Sequence, residues 1–314
     1  MFGIDETSRF RRALPRRLVG GLLAMLVAVV VAGCAGVDEA PPAADLAHAA
    51  GSSEGLRQPG EALLIPSPIP GLSMHATLFR PPGPGPFPLA VINHGSEEDA
   101  GERAAMPMPS FDTLTAWFLA RGYAVLLPQR PGHGETGGAY LETQGNCDSA
   151  DYVKAGNATA DSIAAAIRAM AGQAFIKPTG VVVVGNSAGG WGALALAARN
   201  PPAVRAFVSF AGGRGGRRNG FADNVCSEDR LVAAAGTFGR TARLPTLWLY
   251  AENDTYFAPA LSRRMADAFR AAGGKVEYDL LPAVVGEGHG LIQTSGAAAT
   301  WEPYLETFLA GGGH

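Results

Sequence analysis

From residue 61 onward, short apolar runs alternate with stretches of helical spacing, and this alternation restricts the fold more than any other feature of the sequence. LAVINHG (89–95), YAVLLPQ (123–129), GVVVVG (180–185), VRAFVSFAG (204–212), LPTLWLYAEND (244–254) and KVEYDLLP (275–282) read as strands. Between or after them lie helical patterns at 111–122, 158–172, 191–200, 259–274 and around 300–310, the first stopped by Gly122. EALLIP (61–66) and MHATLFRP (74–81), separated by SPIPG, read as an antiparallel pair ahead of this series. The expectation is one α/β domain over 61–314 with a mostly parallel central sheet of about eight strands and helices on both faces. Two stretches break the rhythm: 130–157 and 211–229 are long and irregular, at places where compact domains use short loops.

The N-terminal part follows different rules. Arg9, Arg11, Arg12, Arg16 and Arg17 precede the apolar run LVGGLLAMLVAVVVA, which ends at VAGC. Residues 1–33 therefore read as a signal peptide, because the run is shorter than the roughly twenty residues that a spanning helix needs. VAGC resembles the lipobox of bacterial lipoproteins, which implies that Cys34 carries the lipid and holds the mature chain on a membrane; an ordinary signal or a signal anchor is the alternative. Residues 34–60 are small, polar and proline-bearing, as a flexible tether would be. Export places Cys147 and Cys226 in an oxidising compartment, where a disulfide between them competes with two buried thiols. A formal charge of −3 gives no field to hold a phosphate backbone, so nucleic acid is not an expected partner.

Within 181–192, VVVVGNSAGGWG, lies the pattern G-x-S-x-G around Ser187. The pattern alone is weak, since 42 glycines make chance matches easy and GSSEG (51–55) gives one around Ser53. Ser53 has no strand before it and no apolar helix after it. Ser187 has both, and Gly185 and Gly189 leave room for a strand and a helix to approach across a sharp turn. The competing reading is a helix N-cap serine.

Strand, G-x-S-x-G, helix, then an acid after a later strand and a histidine after the last one: this order resembles the α/β-hydrolase fold over roughly residues 61–310. The resemblance implies that Ser187 is a nucleophile on an elbow formed with Gly185, Asn186 and Gly189. It requires a base downstream, where only His289 and the terminal His314 stand. His289 in GEGHG fits. Asp254, just beyond a strand end, fits the orienting acid, with Glu252 as the alternative. The oxyanion donors would be the N–H of Ala188 and that of Gly95 or Ser96, in a HGS motif where His94 orients the loop. His133 in RPGHG precedes the serine and reads as structural.

Within the fold the sequence looks most like the dienelactone-hydrolase-like and prolyl-oligopeptidase-like branches. Dienelactone hydrolases use a cysteine nucleophile, so Ser187 turns the expectation toward serine ester hydrolysis. The peptidases of the related branch usually carry a gating domain, for which the residues before 61 give no candidate. The reading is therefore a serine carboxylesterase acting on a small-molecule ester, with no cofactor and no metal. The alternatives are a peptidase or amidase with the same triad, and an inactive binding lipoprotein. A Cys147–Cys226 bond would pin the two long loops over the serine, and Arg214, Arg217 and Arg218 would either attract an anion or simply be solvated. Neither the acyl group, the alcohol group nor the oligomeric state is legible.

Overall fold

The computed structural model describes residues 59–311. The expected signal peptide, Cys34, almost all of the tether, Ser53 and His314 lie outside the described residues. Eight strands form one sheet: β1 (Glu61–Pro66), β2 (Ser73–Phe79), β3 (Leu89–Asn93), β4 (Ala124–Pro128), β5 (Val181–Asn186), β6 (Val204–Phe210), β7 (Thr246–Ala251) and β8 (Val276–Leu281). Their order is β1-β2-β4-β3-β5-β6-β7-β8. β1 pairs antiparallel with β2 and β2 with β4; every other pairing is parallel.

Seven helices connect the strands: α1 (Ala100–Ala104), α2 (Asp112–Ala120), α3 (Tyr152–Ala171), α4 (Ala188–Ala197), α5 (Glu228–Gly239), α6 (Pro259–Ala271) and α7 (Ala298–Ala310). The four valines of β5 show why the run is unbroken. Val181 and Val183 pack into a core with α3, α4, α5 and α6, while Val182 and Val184 pack into a second core with α2 and α7. A strand covered on both faces has no solvent side, so it has no polar alternation.

Three local expectations are corrected. α3 begins at Tyr152 and not near residue 158, because Asp151 caps it by accepting from Lys154 N at 2.8 Å. α4 begins at Ala188, three residues before Trp191, despite its early glycines. α5 and α1 were not anticipated; α5 is rich in alanine and glycine and buries Leu231, Ala235 and Phe238 against its neighbours. The long loops accordingly shorten to 129–151 and 211–227. Among the described residues no helix is long and apolar enough to cross a membrane.

Candidate active site

The tip of β5 carries the most constrained backbone of the site. Ser187 has φ 52° and ψ −119°, a conformation that costs a side-chain-bearing residue on the order of 1–3 kcal/mol. A Cβ on Gly185 would collide with the backbone of Gly189, and one on Gly189 would collide with the carbonyls of Asn93 and His94. Strand β3, strand β5 and helix α4 therefore meet here backbone to backbone, and only glycine permits it. The Ser187 side chain makes no capping hydrogen bond. That removes the N-cap reading and leaves a hydroxyl held out of the helix, in a cleft. Ala188, the first residue of α4, points its N–H out of the helical ladder as first-turn donors do.

The turns after β7 and β8 bring the acid and the histidine together. Asp254 is buried; its Oδ1 accepts from Tyr256 N at 2.8 Å and Phe257 N at 2.9 Å, and its Oδ2 lies 3.3 Å from His289 Nδ1. A carboxylate only accepts, so Nδ1 carries the imidazole proton and Nε2 is left with a lone pair. Tyr256 stacks on the imidazole at 4.0 Å, and Phe257 meets it edge-on at 5.4 Å. Glu287 holds the turn: its carboxylate accepts from Thr255 N at 2.9 Å, Thr255 Oγ1 at 2.5 Å and His289 N at 3.2 Å. Asn186, the neighbour of Ser187, donates to the His289 carbonyl at 3.4 Å. Thus the histidine loop is tied to the elbow, although among the described residues no hydrogen bond joins Ser187 Oγ to the ring. Glu252 is exposed, and the carboxylate paired with His289 is that of Asp254.

On the opposite side, the loop after β3 is backed by buried charge. Arg130 donates from Nη1 to the His94 carbonyl at 2.8 Å and from Nη2 to the Gly95 carbonyl at 3.1 Å. Its Nε and Nη2 also grip Glu142 at 2.5 and 3.2 Å, and Glu142 bonds Arg214 as well. All three side chains are no more than 4% exposed. Burial alone would raise the Glu142 pKa, but the Arg130 and Arg214 guanidiniums outweigh it and hold the carboxyl well below the usual carboxylate range.

Two histidines complete this side. His94 accepts from Arg130 N at 3.0 Å through Nε2, so its Nδ1 is the donor to the Gly95 carbonyl at 2.6 Å. Burial, with the Arg130 charge beside it, pushes the His94 pKa well below its ordinary value and keeps the ring neutral. His133 places Nδ1 against the carbonyls of Arg130 and Pro131 at 3.2 and 3.1 Å, so its Nε2 accepts from Ser96 Oγ at 2.9 Å. Burial and Arg130 bring its pKa from 6.5 down to about 4. Tyr140 and Arg214 extend the chain, with Tyr140 Oη 3.2 Å from Ser96 Oγ and accepting from Arg214 Nη1 at 3.0 Å.

Between the two sides lies a cleft of about 300 Å³, lined by Ser96, Glu97, Glu98, Glu102, Ser187, Ala188, the 213–217 segment, Tyr256 and Phe257. Gly95 backs the nucleophile: a Cβ there would stand 3.3 Å from Ser187 Cβ. Cys147 and Cys226 are bonded, with Cα atoms 5.0 Å apart, and join the 129–151 loop to the 211–227 loop. The three arginines do not act as one basic group. Arg214 is committed to Glu142, Arg217 lies half-buried 3.5 Å from Glu287, and Arg218 is exposed. A larger hollow of about 600 Å³, lined by Pro245, Lys275 and Phe308 among others, contains neither Ser187 nor any residue of its cleft.

The fold as a whole is matched in solved structures. The Pyrococcus horikoshii acylaminoacyl peptidase superposes with a TM-score of 0.57 at 13% identity, over 80% of this chain and 41% of that one. This chain has the α/β-hydrolase fold. A puromycin-hydrolyzing peptidase of Mycobacterium tuberculosis gives a TM-score of 0.55 at 23% identity, over 81% and 39% of the two chains. This chain thus spans about two fifths of the length of those peptidases. A Klebsiella pneumoniae protein provisionally described as a dienelactone hydrolase gives a TM-score of 0.51 at 17% identity, over 80% of this chain and 98% of that one. The model of the prolyl oligopeptidase family matches residues 109–213, from α2 through the elbow. No curated protein matches the sequence. Family match and geometry together support a serine hydrolase.

Ser187, Ala188 and Ser96 line this cleft and Gly95 backs Ser187, while the Asp254–His289 pair lies behind Tyr256 and Phe257, which line it. Sequence reasoning missed Glu142 and gave Arg130, the first residue of RPGHG, no role. Glu142 is one carboxylate in a long loop, and nothing local distinguishes it from a solvated one. Tyr256 and Glu287 were likewise unnoticed, although both lie within two residues of a residue singled out. His133 bonds Ser96 from below and does not line the cleft.

Proposed function

We propose that this chain is an exported serine hydrolase that cleaves carboxylic esters through an acyl-enzyme. The observation that carries the reading is Ser187 itself, at positive φ on the elbow, uncapped and open to the cleft. Its Oγ attacks the ester carbonyl while His289 Nε2 takes the hydroxyl proton and passes it to the departing alkoxide. Asp254 holds the imidazole in the required tautomer and faces the imidazolium that forms. The N–H groups of Ala188 and Ser96 receive the oxyanion, and water then repeats the sequence on the acyl group. Ser187→Ala is expected to fold normally and to lose on the order of a million-fold in turnover of p-nitrophenyl esters. Unchanged hydrolysis by that variant overturns the assignment.

The ester reading draws support from the near-complete span of the Klebsiella pneumoniae protein, set against the partial span of the peptidases. The family match favours a second reading, an amidase or peptidase with the same residues. Matched ester and amide substrates separate the two. Labelling of Ser187 by a fluorophosphonate excludes the inactive binding protein. The Cys147–Cys226 bond supports export to an oxidising compartment, with residues 1–33 as the signal and Cys34 as the lipid attachment on a bacterial membrane. Mass spectrometry of the mature N-terminus tests that part.

A further inference from the structure

The Arg130 guanidinium holds two consecutive carbonyls of the loop that faces Ser187, those of His94 and Gly95, at 2.8 and 3.1 Å. In a trans peptide the C=O and the following N–H point in opposite directions. Pinning both carbonyls toward Arg130 therefore turns the N–H groups of Gly95 and Ser96 away from it, and among the described residues neither N–H finds an acceptor. The Gly95 carbonyl is held twice, since His94 Nδ1 also donates to it at 2.6 Å. That carbonyl shares its peptide unit with the Ser96 N–H, and Ser96 lines the cleft beside Ser187 and Ala188.

The guanidinium itself cannot wander. Its Nε and Nη2 are gripped by Glu142, whose other neighbour is Arg214, and the group of two cations and one anion is buried with a net positive charge. A hydrogen bond from a cation to a carbonyl polarises the peptide and strengthens its N–H as a donor, all the more away from water. The Ser96 hydroxyl is meanwhile occupied by His133 Nε2, so the residue offers the cleft its backbone N–H.

We propose that Arg130, locked by Glu142, is the positioning residue of the oxyanion-binding loop: it aims and polarises the Ser96 N–H at the site where negative charge develops. The proposal rests on Ser187 being the nucleophile. Two carbonyls one residue apart require a planar fork, which arginine has and lysine lacks.

The test is Arg130→Lys in the full chain, which retains a cation for Glu142 and loses the fork. Expected are native circular dichroism, a kcat for p-nitrophenyl ester lower by about 100-fold, the scale of losing one oxyanion donor, and an almost unchanged KM. The affinity for a trifluoromethyl ketone, whose adduct with Ser187 places an oxyanion in the same site, is expected to fall in parallel with kcat. A merely structural role would lower the melting temperature without this split. If lysine disturbs folding, Arg130→Met leaves Glu142 paired with Arg214 alone, one buried anion to one buried cation, and the same parallel loss is expected. A folded variant with native kcat, or one that loses kcat while binding the ketone as tightly as before, overturns the proposal. Ser187→Ala, assayed alongside, separates the two claims: if it remains active the nucleophile assignment fails, and if it is dead while Arg130→Lys is unimpaired only the positioning role fails.

Discussion

The two walls of the cleft are built by different physics. The wall after β3 and β4 is supported by a buried interior of charge: Arg130, Glu142, His94 and His133 are all at most 4% exposed, with Arg130 paired to Glu142 and the two histidines bonded to backbone groups of the loops and to the Ser96 hydroxyl. Of its charged groups and histidine, the wall after β7 and β8 buries only Asp254; His289 is 12% exposed and Glu287 33%, and their turns are fixed by carboxylates accepting from backbone N–H groups. Under the proposed function the contrast has a reason. Oxyanion donors act only if they are already aimed when charge appears, whereas the base must take a proton on one side and release it on another.

The largest effect is expected where the two long loops are stapled beside the first wall. Replacing Cys147 and Cys226 by alanine opens a link across 79 residues, whose chain-entropy contribution is about 4–5 kcal/mol. If the first wall stands on its own charge network, unfolding shifts to lower denaturant while turnover below the transition is retained. Arg214 and Glu142 join the same two loops independently of the disulfide. Loss of turnover in the still-folded variant would show that the network does not hold without the covalent link, and the contrast between the walls would lose its basis.

Acid is the next largest perturbation, and it acts on the first wall. His133 titrates near 6.5 when unfolded and at about 4 when folded, so between these values the unfolded chain binds the proton and the folded one does not. Stability therefore falls as pH drops through this window, by up to about 3 kcal/mol at 1.36 kcal/mol per unit. His94, shifted in the same direction, adds to the slope, and Glu142 follows below its unfolded range. Denaturant titrations from pH 7 to 4 measure the slope, and His133→Gln should flatten it. An unchanged slope in that variant would place the acid sensitivity elsewhere.

The difference between the walls also explains how much of each was legible in the sequence. The second wall follows chain order: an acid after β7 and a histidine after β8 are each adjacent to a strand end, so the resemblance to the α/β-hydrolase order could single out Asp254 and His289, which the structure pairs. The elbow was readable because sterics at Ser187 demand small neighbours, which GNSAGG displays. The first wall is a long-range construction. Glu142 meets Arg130 twelve residues away and Arg214 seventy-two residues away, and neither distance leaves a periodic trace. Burial, the property that makes these charges matter, is a product of the fold. The same holds for α5, whose alanine and glycine are poor signals alone but suit a helix packed closely against α6.

The smallest predicted effect is the one that tests the second wall directly. Glu287→Gln keeps the shape of the side chain: its amide oxygen still accepts from Thr255 N and His289 N and its amide N–H donates to the Thr255 hydroxyl, but the negative charge that faces Arg217 at 3.5 Å is lost. Because the group is a third exposed, water takes over part of what is lost, and the expected cost is about 1 kcal/mol. In a domain of this size that lowers the melting temperature by about 2–4 °C. A loss as large as the acid effect would mean that the β7–β8 wall also depends on a committed charge, and the two walls would then be built alike. A small loss leaves the histidine loop as a locally hydrogen-bonded turn, held against the elbow chiefly by the Asp254 contacts, the stacking of Tyr256 and the Asn186 bond to the His289 carbonyl.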